Sequence, residues 1–261
     1  MPVRLFAGSS GFSYKPWKGP FYPVDLPDSE MLAYYAERLP AVEINNTFYR
    51  LPKAQLLEDW AAQTPDGFRF VLKASRRITH IQRLKDTGEL LEYLFKTAAT
   101  LGAKLGPFLF QLPPHLKKDT DRLRSFLDLV PPDRKVALEF RNASWFEDDV
   151  FEALRAHDAA LCVAETEPDD KEGMKEPVPL VATASWGYLR LRRANYTDAD
   201  LAAWAARIHS QGWSEAYAFF KHEDDGTAPV FAQRFMELGG RITGASPISD
   251  DVRPAPDMSQ D

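Results

Sequence analysis

One pattern restricts the fold of this chain more than any other: short apolar runs turn polar at their C-terminal ends and are separated by amphipathic stretches. Such runs are "AVEINNTFY" at 41–49, "FRFVLKAS" at 68–75, "FLFQLPP" at 108–114, "VALEF" at 136–140, "GYLRLRR" at 187–193 and "AYAFFKH" at 216–222. Runs of four to eight apolar and β-branched residues bounded by turn residues read as strands. Predicted strands fall at 3–8, 41–45, 68–74, 107–112, 135–140, 159–164, 186–192 and 216–221.

Helices are predicted between most of them. The segment 29–39 can be capped by Asp28 or Ser29, and 52–64 opens with Pro52 near its first turn. At 87–102, Thr87 caps, Leu90, Leu94 and Ala98 form a stripe, and Gly102 ends the helix. Further helices are expected at 120–130, 147–158, 197–212 and 228–239, with Thr197 and Asp200 at capping-box spacing. Strict alternation over this length predicts a single (β/α)8 TIM-like barrel over residues 1–244 and a polar, proline-rich tail at 245–261. The alternative is an open doubly wound sheet. It lacks support, because "GSSGFSYKPWKGPFYP" after the first strand carries no Gly-x-Gly-x-x-Gly and is too bulky to cradle a dinucleotide. Two long loops, 8–27 and 165–179, then lie on the face where barrel loops carry function, the second being either a lid or a solvated loop.

Composition narrows the function classes. A formal net charge of -6 argues against a nonspecific binder of double-stranded nucleic acid, yet leaves room for a local anion pocket. The single cysteine, Cys162, excludes an intrachain disulfide and reads as a buried strand thiol. No apolar stretch approaches the roughly 20 residues that span a bilayer, so no membrane is expected and the cytoplasm is the default compartment. The five histidines form no compact ligand motif, and only His80 and His222 fall near the strand ends, with Glu43, Glu139 and Glu165 as candidate oxygen ligands; no metal is assigned, structural zinc is not expected, and magnesium stays open. No Ser–His–Asp or Cys–His arrangement is evident, and "GSSGF" lacks the nucleophile-elbow pattern. The sequence names no cofactor.

Five blocks in order, "GSSGFSYKPWKGPFYP" at 8–23, "VEINNTFYRLP" at 42–52, "FRFVLKASRRITH" at 68–80, "LGPFLFQLPP" at 105–114 and "VALEFRNASW" at 136–145, resemble domain-of-unknown-function family 72. The resemblance covers about residues 3–240. It implies a TIM-barrel-like fold and supplies candidate positions but no reaction. The matching positions are Gly11, Tyr14, Trp17, Glu43, Asn45, Tyr49, Lys73, His80, Gln111, Glu139, Arg141 and Trp145. Two departures stand out against the family pattern. Where many members resemble "RLHG" this chain has Arg190, Leu191, Arg192 and Arg193, and where many have an asparagine pair it has Lys221 and His222.

Side chains alternate across a strand, so Glu43 with Asn45, Val71 with Lys73, Glu139 with Arg141, Tyr188 with Arg190 and Arg192, and Phe219 with Lys221 share faces. In parallel strands these groups gather at one mouth. Glu43, Glu139 and Lys73 are the expected catalytic residues. Two carboxylates across a cleft serve as acid and base, or as nucleophile and acid. Lys73 is suited to anion holding, to acting as a desolvated base, or to forming a Schiff base. Tyr14, Trp17, Asn45, Tyr49, His80, Gln111, Arg141, Trp145, Arg190, Arg192 and Lys221 are the expected substrate contacts, the arginines for oxyanions and the aromatics for stacking. The competing possibility is a salt-bridge network that only closes the barrel top. The leading functional expectation is a hydrolase or other acid–base enzyme acting on an anionic or polyhydroxylated, sugar-like small molecule. A noncatalytic module for a nucleotide or single-stranded nucleic acid is the alternative.

Overall fold

The structure, a computed structural model, describes residues 2–165, 177–221 and 225–243. Eight parallel strands form one sheet: β1 (Arg4–Ser9), β2 (Ala41–Ile44), β3 (Arg69–Lys73), β4 (Leu105–Gln111), β5 (Val136–Glu139), β6 (Ala160–Glu165), β7 (Gly187–Leu191) and β8 (Glu215–Phe220). The order is β1-β8-β7-β6-β5-β4-β3-β2, so the two ends of the sheet are β1 and β2. They meet at a parallel bridge between Ser10 and Glu43, which closes the sheet into a barrel. The TIM-like barrel expected from strand–helix alternation is therefore the fold.

The β1–β2 seam is held by a side chain instead of a full ladder. Tyr35, fully buried, accepts from the Ser9 N–H at 2.8 Å and donates to the Ala41 carbonyl at 3.0 Å. It occupies the gap where strand-to-strand bonds would run. The close approach also explains Gly8, because a Cβ there would sit 1.9 Å from the Ala41 carbonyl oxygen.

Seven α-helices are found among the described residues: α1 (Met31–Ala36), α2 (Ala54–Ala62), α3 (Gly88–Ala98), α4 (Thr120–Leu127), α5 (Asp148–Ala156), α6 (Asp198–His209) and α7 (Thr227–Thr243). The capping box at Thr197 and Asp200 is formed on α6. Asp119 caps α4 by accepting from the Arg122 N–H at 3.0 Å. Two expected caps differ. Thr87 precedes α3 but makes no side-chain cap bond, and Asp28 and Ser29 lie within a 3-10 turn that leads into α1. The helix expected at 87–102 changes to 3-10 geometry at Ala99 before Gly102 turns the chain at φ 56°. β4 begins at Leu105, two residues earlier than expected from its apolar run. Its register against β3 shifts between Phe70 and Leu72, where Pro107 has no N–H to give the ladder.

Two cores follow from the alternation of side chains. The larger lies between sheet and helices. The smaller fills the barrel with Phe6, Ala41, Val71, Leu109, Ala137, Ala160, Cys162, Trp186, Tyr188, Tyr217 and Phe219. Two residues further along the strands the inward positions become Glu43, Lys73, Gln111, Glu139 and Arg190. An apolar plug thus carries a polar layer at the C-terminal mouth. No helix among the described residues is long and apolar enough to cross a membrane. The tail expected at 245–261, residues 166–176 of the second long loop, and His222 lie outside the described residues.

Candidate functional site

Arg190 is the centre of the polar layer. It comes from β7, is 3% exposed, and bridges two carboxylates: Nη2 lies 2.9 Å from Glu43 Oε1 and Nη1 lies 2.7 Å from Glu139 Oε2. Glu43 and Glu139 are 0% and 1% exposed, so the triad is shielded from water. Isolated buried charges are costly, and burial of an ion pair is sustained only where further hydrogen bonds satisfy the remaining lone pairs.

Those bonds are present. Glu43 Oε1 also accepts from Ser10 Oγ at 2.8 Å and Asn45 Nδ2 at 3.2 Å, and Glu43 Oε2 accepts from the Tyr188 hydroxyl at 2.6 Å. Glu139 Oε1 accepts from Gln111 Nε2 at 2.8 Å and from Arg141 Nε at 3.0 Å. Burial opposes ionisation of Glu139, but Arg190, then Arg141, Lys73 and Arg192, overcome it and hold the carboxyl far below its ordinary range. For Glu43 burial is again the largest influence, and Arg190 with the Tyr188 and Ser10 hydroxyls outweighs it, so this carboxyl is lowered too. Arg190 is driven the other way: burial disfavours its charge, yet Glu43 and Glu139 raise its pKa. Both carboxylates are therefore ionised at neutral pH, with their oxygens occupied.

Lys73, the last residue of β3, is different. It is half-buried and has no hydrogen bond or ion pair among the described residues; its Nζ stands over the Phe48 ring at 4.4 Å from the centroid. Burial, then the charge of Arg190, lowers its pKa from 10.5 to about 8, with Glu139 and Glu43 pulling back only part of the way. His80, on a π-helical turn at Arg77–Ile81, packs edge-on against the same Phe48 ring at 4.9 Å and shares a 2.9 Å bond between Nδ1 and Thr79 Oγ1. Burial and the charge of Lys73 push His80 down to about 4, so its imidazole is neutral at pH 7.

Asn45, Lys73, Arg141, Arg192 and Lys221 are each half-buried at or just past the C-terminal ends of their strands, His80 is half-buried on the turn after β3, and Gln111 is buried. Among the described residues, Lys73, Arg141, Arg190 and Arg192 set four cations around Glu43 and Glu139, in a chain of net charge -6. A partly desolvated mouth with these cations favours an anion. Among the described residues no three His, Cys, Asp or Glu side chains are grouped to hold a metal.

The aromatic residues divide. Tyr49 is 72% exposed beside Phe48, and half-buried Tyr14 donates its hydroxyl hydrogen to the Ser10 carbonyl at 2.8 Å. Trp17 and Trp145, expected as ligand contacts, are 1% and 0% exposed and offer a ligand no surface. Trp17 packs among Tyr14, Phe21 and Tyr22, pinning the first long loop. Trp145 stacks on Phe140 at 4.7 Å and donates its indole N–H to the Leu116 carbonyl at 2.8 Å. A plug and a stacking platform have the same composition, so sequence could not separate them.

Three residues of the site had no role assigned from sequence. Ser10 follows β1 and reaches Glu43, Tyr188 donates to Glu43 from inside the barrel, and Phe48 is the surface under Lys73. Tyr188 was detectable, since it shares the Arg190 face by strand alternation. Ser10 and Phe48 become visible only when the β1–β2 seam and the turn after β2 are in place.

Comparison with known proteins agrees with this architecture. A DUF72 family protein from Thermotoga maritima MSB8 superposes with a TM-score of 0.79 at 26% identity, over 90% of this chain and 98% of its own. A DUF72 family protein from Enterococcus faecalis V583 shares the fold, with a TM-score of 0.72 at 19% identity over 94% and 99%. UPF0759 protein YunF of Bacillus subtilis (strain 168) is 33% identical over 139 residues, covering 50% of this chain and 49% of its own. UPF0759 protein YecE of Escherichia coli (strain K12) is 31% identical over 116 residues, covering 44% and 43%. The matched segments thus span about half the length of these curated relatives, and no specific function accompanies them. The model of the family described as "Protein of unknown function DUF72" matches residues 6–256, and the chain belongs to that family.

Proposed function

We propose that the C-terminal mouth of the barrel is the active site of an acid–base enzyme for a small anionic molecule. One observation carries the reading: a half-buried lysine without a hydrogen bond or ion pair among the described residues stands beside a buried Glu–Arg–Glu triad. Glu43, Glu139 and Lys73 then have distinct tasks. The carboxylates hold Arg190 and set the local field, and Lys73 exchanges the proton. The division follows from occupancy. A glycosidase needs one carboxyl that keeps its proton near neutral pH, and both carboxyls here are lowered by Arg190. A lysine near its transition midpoint is a better match for proton transfer at physiological pH.

In this reading the guanidinium groups of Arg141 and Arg192 attract the substrate anion, and Asn45, His80, Gln111 and Lys221 shape or line its surroundings. Tyr49 and Tyr14 are the aromatics with surface to offer. The nucleic-acid alternative receives less support, because base stacking needs exposed ring faces and both tryptophans expected for it are buried.

The test is a thermal-shift and calorimetric titration with inorganic phosphate and with small monocarboxylates at low ionic strength. Wild-type protein is expected to be stabilised, Lys73→Met to lose about tenfold in affinity, and Lys96→Met, an exposed change on α3, to bind like wild type. No stabilisation by any of these anions, or equal binding by Lys73→Met, overturns the assignment.

A further inference from the structure

We propose that Lys73 is a condensing amine: it forms a Schiff base with a small aldehyde or ketone that carries a carboxylate or phosphate group. The proposal rests on the reading of the mouth as an anion site and names the chemical class that site takes.

Three other partly buried lysines among the described residues are committed to partners of their own. Lys18 pairs with Asp28, Lys104 donates to the carbonyls of Ala61 and Thr64, and Lys118 pairs with Glu147 and Asp149. Lys73 has no such partner among the described residues, although Glu43 and Glu139 lie close enough to influence its charge. The reason is geometric. Arg190 takes one oxygen of each carboxylate, and Ser10, Asn45, Tyr188, Gln111 and Arg141 add their own donors. What remains for Lys73 is the Phe48 face at 4.4 Å, a contact that excludes water on one side without supplying an acceptor.

Such an amine is poised to react. With its pKa lowered from 10.5 to about 8, about a tenth of Lys73 is uncharged at pH 7, roughly 300-fold more than for an ordinary lysine. Neutral His80 packs on the same ring and supplies no negative charge there to hold the amine protonated. Arg141 and Arg192 place positive charge where the anionic end of a carbonyl compound would be drawn.

The step balances without a redox partner. The nitrogen lone pair forms a C–N bond to the carbonyl carbon, and the C=O π pair moves to oxygen, which takes up the proton released from nitrogen. The resulting carbinolamine expels its hydroxyl with one further proton as water, and the nitrogen lone pair forms the C=N bond. Protonated, the imine withdraws electrons from the adjacent carbon and eases proton removal or carbon–carbon cleavage there.

The experiment is reductive trapping. Full-length protein at pH 7 is incubated with pyruvate, with glycolaldehyde phosphate, or with neutral acetone, each with cyanoborohydride, and every lysine is mapped by peptide mass spectrometry. Pyruvate should add a carboxyethyl group at Lys73 at least about tenfold faster than at any other lysine, with acetone unselective. Glycolaldehyde phosphate reports whether a phosphate-bearing carbonyl is preferred over a carboxylate. Inorganic phosphate should protect Lys73, and Lys73→Arg should remove the selective product while leaving background labelling unchanged. Labelling of Lys73 no faster than of exposed lysines, by both anionic carbonyls, overturns the proposal. If phosphate still stabilises the protein in that case, the anion site stands and only the condensation falls; if phosphate neither stabilises nor protects, both fall.

Discussion

Replacing Arg190 by methionine removes the single group that joins β2, β5 and β7 at the mouth. The substitution takes away two charge-assisted hydrogen bonds, at 2.9 Å to Glu43 and 2.7 Å to Glu139, from partners that are at most 1% exposed. Removing one side of a buried ion pair costs roughly 3–5 kcal/mol, because the abandoned charge remains buried. Here two charges are abandoned, but Glu43 keeps Ser10, Asn45 and Tyr188, and Glu139 keeps Gln111 and Arg141. The expected loss at pH 7 is therefore about 4 kcal/mol, or roughly 8–16 °C in Tm for a chain of this size. In the wild type both carboxyls lie below their ordinary value of 4.5 in the folded chain, so their contribution is complete above that pH and is lost as pH falls through the folded values. Without Arg190 the strongest lowering influence on each carboxyl is gone, so both take up protons at a higher pH in the variant than in the wild type and protonation relieves the variant first. Urea unfolding followed by circular dichroism at pH 7 and pH 5 should show the gap between the two proteins narrowing at pH 5. A loss below about 1 kcal/mol, or a gap that widens on acidification, would refute the view that Arg190 neutralises two ionised carboxylates.

Tyr35→Phe should cost about 1–3 kcal/mol and speed amide exchange at Ser9, whose N–H loses its 2.8 Å acceptor in the seam; unchanged exchange would show that the hydroxyl does not hold the seam. Anion affinity should fall as pH rises through about 8, because Lys73 loses its charge there while Arg190 keeps its own, His80 is already neutral and Glu43 and Glu139 are already ionised. Calorimetric titration with sulfate, whose charge is constant from pH 7 to 9.5, checks this, and an affinity independent of pH over that range contradicts it.

The barrel was legible because the physics behind it is local. A strand that meets helices outside and a packed plug inside must be apolar along its length, and it turns polar only where it reaches the mouth, as in Val71 to Lys73 and Tyr188 to Arg190. Period-two alternation sorted Glu43, Glu139, Arg190 and Arg192 onto inward faces for the same reason. Partnership within the mouth was not legible. Arg190 meets Glu43 across 147 positions of sequence and Glu139 across 51, and only closure of the cylinder decides which cation faces which anion. The same closure leaves Lys73 over Phe48 instead of against a carboxylate, and it turns Trp17 and Trp145 inward. Aromatic-rich loops read alike whether their rings face a ligand or the core.

Lys73 stands over Phe48 in a partly dry mouth, without a hydrogen bond or ion pair among the described residues. Titrating its side chain directly, by following the 13Cε and 15Nζ resonances of lysine-labelled protein assigned with Lys73→Arg, measures that environment without reference to any substrate. A midpoint near 8 is predicted. A midpoint at the ordinary value of 10.5 would mean that the amine is solvated or paired, and would contradict the assignment of Lys73 as the proton-exchanging group.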